Sequence, residues 1–181
     1  MRRTLVGLLL VVTATVASAQ ALRTEAAGLR FSIPKEWTRV PAPSDMRAAQ
    51  YQLPRATGDS ADGELVLFFF GKGKGGGTQE NLDRWYGQLT QPDGKATRDV
   101  AVVTIRTING LKVTAVDVPG TYVGMPGMGA DASPRPGSRM LAAVVEGDAG
   151  PWFFKAVGPD KTMAQAKAGF DALIASLEAH Q

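Results

Sequence analysis

Met140-Leu-Ala-Ala-Val-Val-Glu146, Gly147-Asp-Ala-Gly-Pro151 and Trp152-Phe-Phe-Lys-Ala-Val157 read as strand, tight loop, strand. The run is dense in apolar and aromatic residues and is punctuated by Gly and Pro, the pattern of a hairpin inside a sheet. An amphipathic helix follows. Met163, Ala166, Phe170, Leu173, Ile174 and Leu177 recur at helical spacing, and Gln165, Lys167, Asp171 and Glu178 fall toward the other side. Thr162-Met-Ala-Gln165 has the form of a capping box and predicts the helix start. Gly169 interrupts the stripe at a cost of about 1 kcal/mol relative to Ala, which points to close approach against a neighbour or to a tolerated weak point.

The chain upstream reads as sheet and cover for this unit. Residues 20–28 read as a flexible lead-in. Leu29–Ile33 and Met46–Leu53 alternate as half-buried strands, the second with Arg47, Ala49, Tyr51 and Leu53 on one face. Leu65-Val-Leu-Phe-Phe-Phe70 is continuously apolar and predicts a central strand buried on both sides. It runs through Gly71-Lys-Gly-Lys-Gly-Gly-Gly77 into a short helix from about Thr78, with Leu82, Trp85, Tyr86 and Leu89 on its apolar side. Val100–Ile108 and Leu111–Val118 flank Asn109-Gly110, the strongest short hairpin signal. Residues 124–138 carry no periodicity and read as a long loop. The same burial argument places Trp152 and Phe154 on one face of a central strand and Phe153 on the other.

The first 19 residues have the form of a secretory signal. Arg2 and Arg3 precede the apolar run Leu5–Val12, and Ala17-Ser-Ala19 supplies a cleavage motif. The apolar run is too short to span a bilayer, and no transmembrane segment is expected in the mature chain. Residues 20–181 are then one domain, periplasmic or secreted, with cleavage after Ala19. Removal of the leader leaves 18 basic against 17 acidic residues, so the basic isoelectric point leans partly on the leader. No basic stripe marks nucleic-acid binding. Cysteine is absent, so stability comes from the core without disulfides.

Few chemistries fit these residues. His180 is the only histidine and lies beside the C-terminus, which excludes Ser–His–Asp and Cys–His catalysis and His-based zinc sites. No catalytic set and no cofactor are expected. Gly71–Gly76 matches G-x-G-x-x-G between a strand and a helix, and Lys72, Lys74, Gly75, Gly76 and Thr78 are the candidate contacts for an anion or a partner. It lacks the crossover and acidic residue of a dinucleotide site, and the Lys of a Walker loop. The bland reading is a flexible connector. Met125 and Met128 are soft ligands suited to Cu(I), though without a fuller ligand set they also suit an adaptable loop. Asp59, Asp62 and Glu64 share one loop without calcium-loop spacing.

Phe31-Ser-Ile-Pro-Lys-Glu-Trp37, the Asn109-Gly110 hairpin and Gly150-Pro-Trp-Phe-Phe-Lys155, taken with the order of elements, resemble the PsbP-like fold group. The chain is also similar to uncharacterised secreted bacterial proteins of this length. The resemblance implies an α+β sandwich, a largely antiparallel central sheet with helices on its faces, and roles in binding or assembly without a common catalytic site. The expected function is an exported, non-catalytic binding or assembly module of the bacterial cell envelope with a protein partner there. The alternative is an exported enzyme using carboxylate or lysine chemistry near the Gly-rich loop.

Overall fold

The computed structural model describes residues 21–124 and 133–180, so the leader, Met125 and Met128 lie outside the described residues. In chain order the elements are β1 (Ala21–Ala26), β2 (Leu29–Pro34), β3 (Thr38–Arg39), β4 (Arg47–Leu53), β5 (Gly63–Phe69) and α1 (Thr78–Tyr86). Then come β6 (Leu89–Thr90), α2 (Thr97–Val100), β7 (Val102–Ile108), β8 (Leu111–Tyr122) and β9 (Arg135–Glu146). The chain ends with β10 (Trp152–Pro159), α3 (Asp160–Ala175) and β11 (Glu178–Ala179).

The main sheet runs β3-β4-β5-β10-β9-β8-β6, with β7 also paired to β8, and every pairing is antiparallel. The two apolar strands β5 and β10 are neighbours at its centre, as their composition requires. Alternation sends Trp152 and Phe154 to one face and Phe153 to the other, and all three are buried. On the first face, α3 and β2 lie over the sheet. Phe31 meets Phe154 edge-on at 5.5 Å, and the Trp152 indole donates to the Ala27 carbonyl at 2.9 Å. On the second face, Leu82 and Trp85 of α1 cover Val116, Val118, Met140, Ala142 and Val144. The chain is therefore α+β, with helices on both faces of a largely antiparallel sheet.

Several local expectations are revised. The lead-in is strand: β1 pairs with β2, and β11 pairs with β2 on its other edge. His180 is tied to the β1–β2 turn, its N–H donating to the Gly28 carbonyl at 2.8 Å. Residues 135–138 are strand because they continue the β8–β9 ladder. Val100 ends α2 rather than opening β7. The helix α3 begins before Thr162, and no Thr162–Gln165 capping box forms. Instead the Asp59 carboxylate accepts from Thr162 N–H at 2.8 Å and from its hydroxyl at 2.6 Å. A carboxylate beside a helix N-terminus satisfies an orphan donor and opposes the helix dipole, so the distant loop supplies what the local motif promised. Gly169 marks close approach: a Cβ there would lie 2.7 Å from Pro34 Cγ and 3.1 Å from Trp37 Cζ2. The Asn109-Gly110 turn forms as read, with φ of 48° and 82°.

A recess on the sheet face that the first helix leaves open

The helix α1 is only nine residues long and cannot cover its whole face of the sheet. It lies over β8 and β9 and leaves the β4–β5 side bare. Cross-strand register then decides what lines the gap. Lys155 of β10 lies opposite Val66 of β5 and Ala142 of β9, Val157 lies opposite Glu64, and Tyr122 pairs with Arg135. Ala142 is small, so the lysine stem is not crowded. Arg47 joins this group through an irregularity in β4. A register shift between Arg47 and Ala49 sets Arg47 opposite Phe68 while Ala49, Tyr51 and Leu53 stay in the other core. A bulge re-aims the side chain before it. The sequence expectation that Arg47 shares a face with Ala49 is thereby overturned.

The result is a recess of about 230 Å³ bounded by Arg47, Asp62, Glu64, Val66, Phe68, Tyr122, Arg135, Lys155 and Val157. The Lys155 ammonium donates to Gln88 Oε1 at 2.8 Å and lies 3.4 Å from the Tyr122 hydroxyl. Gln88 follows α1, is buried, and has its carbonyl bound by Val123 N–H. The Arg135 guanidinium stacks over the Tyr122 ring at 4.7 Å, at the exposed mouth. Arg47 donates to Glu64 at 3.0 Å and to Gln50 at 2.9 Å. Among the described residues no ion pair includes Lys155 or Arg135.

This arrangement is costly for a charged lysine. Burial pushes the Lys155 ammonium down to about 8; Glu64 opposes that change, and Arg47 and Arg135 add to it. Burial pushes the Tyr122 phenol up, with Glu64 acting in the same direction and the two arginines against it. A desolvated amine among other cations is a site that gains from an added negative charge.

The residues singled out in the Gly-rich connector lie elsewhere. Lys72, Gly76 and Thr78 meet Glu146, Asp148 and Gly150 around a cavity of about 340 Å³, while Lys74 and Gly75 are not part of its lining. Acceptors already occupy this helix start. The Thr78 hydroxyl donates to Glu146 Oε1 at 2.7 Å, and Gly77 N–H donates to Glu80 Oε2 at 3.3 Å. The Thr78 hydrogen bond, with help from Lys112, holds the Glu146 carboxyl below its ordinary range. The connector is also pinned: a Cβ on Gly150 would lie 2.5 Å from the Gly71 carbonyl carbon. Of the three loop carboxylates, Asp59 departs to cap α3, whereas Asp62, which accepts from Arg55 N–H at 3.0 Å, and Glu64, which pairs with Arg47, both bound the recess.

Sequence reasoning did not find Lys155, Arg47 or Arg135 as a group. One signal was present: Lys155 interrupts the run Trp152–Val157 in a strand with two buried faces. The bulge that brings Arg47 across left no readable mark.

No protein-family pattern matches the sequence, and no curated protein matches it. Solved structures do. The solution structure of cyanobacterial PsbP (CyanoP) from Synechocystis sp. PCC 6803 is similar at TM-score 0.54 and 14% identity, over 94% of this chain and 98% of that one. The crystal structure of PA94, a protein of unknown function from Pseudomonas aeruginosa, is similar at TM-score 0.53 and 9% identity, over 89% and 98%. At these identities the likeness is one of fold, and the fold is PsbP-like.

Proposed function

We propose that the chain is an exported, non-catalytic binding module of the cell envelope, and that the recess around Lys155 receives its ligand. One observation carries this reading. Polar groups from β4, β5, β8, β9 and β10 converge on one concavity that holds a desolvated, positively charged amine for which no carboxylate partner lies among the described residues. A purely structural surface gains nothing from that arrangement, whereas a binding site does. The leader-like residues 1–19 support export, and among the described residues no helix is long and apolar enough to cross a membrane. The PsbP-like fold is compatible with a non-catalytic binding role.

Subcellular fractionation tests the export half: the mature chain, starting at Gln20, should appear outside the cytoplasm. The binding half is tested by thermal shift against a panel of small organic acids, amides, sugars and peptides. The expected result is stabilisation of the natural protein by one class, lost in Lys155→Met. Stabilisation that survives Lys155→Met and disappears in Lys72→Met would move the site to the Gly-rich connector.

A further inference from the structure

We infer that the recess takes a small monocarboxylate with a compact apolar body. This deepens the proposed function and rests on the recess being the ligand site. Three features of the walls select that chemistry.

The first is the donor set. Gln88 takes one proton of the Lys155 ammonium at 2.8 Å, and the Tyr122 hydroxyl is the weaker second neighbour at 3.4 Å. A tetrahedral ammonium has a third N–H. Arg135 lies over Tyr122 and presents a planar fork of donors at the mouth. A carboxylate between the two would receive a charge-assisted hydrogen bond from each, the strong kind of polar contact.

The second feature limits the charge. Glu64 and Asp62 also bound the recess. Glu64 is paired with Arg47, and Asp62 is held by Arg55 N–H. Both carboxylates line the same space as Lys155, so both repel a second negative charge on a ligand. A monoanion is compensated by Lys155 and Arg135, whereas a dianion such as phosphate meets two carboxylates at close range.

The third feature is the apolar wall. Val66, Phe68 and Val157 face the same space. A bare inorganic anion would leave that wall exposed to water, without an apolar partner. At about 230 Å³ the recess is smaller than the roughly 300–1,000 Å³ of sites for drug-sized molecules. The ligand is therefore a short or single-ring acid rather than a long chain.

The experiment is a titration of ¹⁵N-labelled full-length mature protein with three probes: benzoate, its neutral isostere benzamide, and inorganic phosphate. Backbone amide shifts of Val66, Phe68, Tyr122 and Lys155 report the site. Benzoate should give saturable shifts at these residues. Benzamide and phosphate should each bind about tenfold or more weakly, the factor expected for loss of one charge-assisted contact. Lys155→Met and Arg135→Gln should each weaken benzoate by a similar factor, with the natural fold confirmed by an unchanged spectrum away from the recess. If benzamide matches benzoate at the same residues, the recess remains the site and the carboxylate assignment fails. If phosphate binds more tightly than benzoate, the monoanion argument fails. If none of the probes shifts these residues, or the shifts cluster elsewhere, the recess reading fails together with the inference.

Discussion

Replacing Lys155 by Met should stabilise the protein near neutral pH, and that gain should reverse in base. The side chains are similar in length, so the cavity is refilled without new strain. The charged lysine is the destabilising element. Moving its ammonium from the ordinary 10.5 to about 8 corresponds to roughly 3 kcal/mol at pH 7. Against that gain, Met leaves Gln88 Oε1 with only the Tyr122 hydroxyl and removes the cation over the Tyr122 ring. Those losses come to about 1–2 kcal/mol. The net expectation at pH 7 is a variant more stable by about 1–2 kcal/mol. The pH dependence follows from the sign of the change. Between 8 and 10.5 the unfolded chain keeps a proton that the folded chain has released, so the natural protein gains stability as pH rises through that window. The penalty is full below it. The other groups facing Lys155, namely Glu64, Arg47, Arg135 and Tyr122, are common to both proteins, so comparing the two isolates the lysine. Urea unfolding at pH 7 and pH 10 should show the gap closing by about 2–3 kcal/mol and changing sign. A variant that is less stable at pH 7, with a gap that ignores pH, would refute the desolvated-amine argument.

Three further outcomes test the frame that holds the recess. Phe154→Ala should cost about 3–5 kcal/mol in chemical denaturation, since Phe154 is fully buried and packs edge-on against Phe31; a negligible cost would mean that the ring does not join α3 and β2 to the sheet. Asp59→Ala removes the carboxylate that caps α3 and should cost about 1–2 kcal/mol, with the loss concentrated in amide-exchange protection of the first turn of the helix. Gly150→Ala must displace the Gly71 backbone and break a φ of +124°, so it should cost several kcal/mol, on the order of 2–4, and shift resonances across residues 71–77. An unperturbed Gly150→Ala protein would show that the connector is not pinned there.

How much of this was legible depends on how local the signal is. The central place of β5 and β10 follows from their composition, because a strand with two buried faces must be apolar throughout. The Asn109-Gly110 turn follows from the positive φ that both positions need. The stripe from Met163 to Leu177 marks α3 and its buried face. The start of α3 was misplaced because its cap comes from Asp59, about a hundred positions away in sequence. The edge strands β1 and β11 were missed because their stability comes from pairing with β2, not from their own pattern. The recess is the least legible part. It depends on the bulge at Arg47, on where α1 stops, and on registers that bring Tyr122 to Arg135 and Lys155 to Val66. Each of these is a relation between strands. Only Lys155 itself, a lone charge in a strand buried on both faces, could have raised the question from sequence.

The most direct measurement is the titration of Lys155 itself. Its ¹³Cε resonance in lysine-labelled protein can be assigned by its absence in Lys155→Met. Without ligand the amine should titrate near 8, well below its ordinary 10.5, and saturating benzoate should raise that value as a carboxylate replaces solvent beside the ammonium. A free-protein titration at the ordinary lysine value, unmoved by benzoate, would contradict both the desolvated amine and the site built around it.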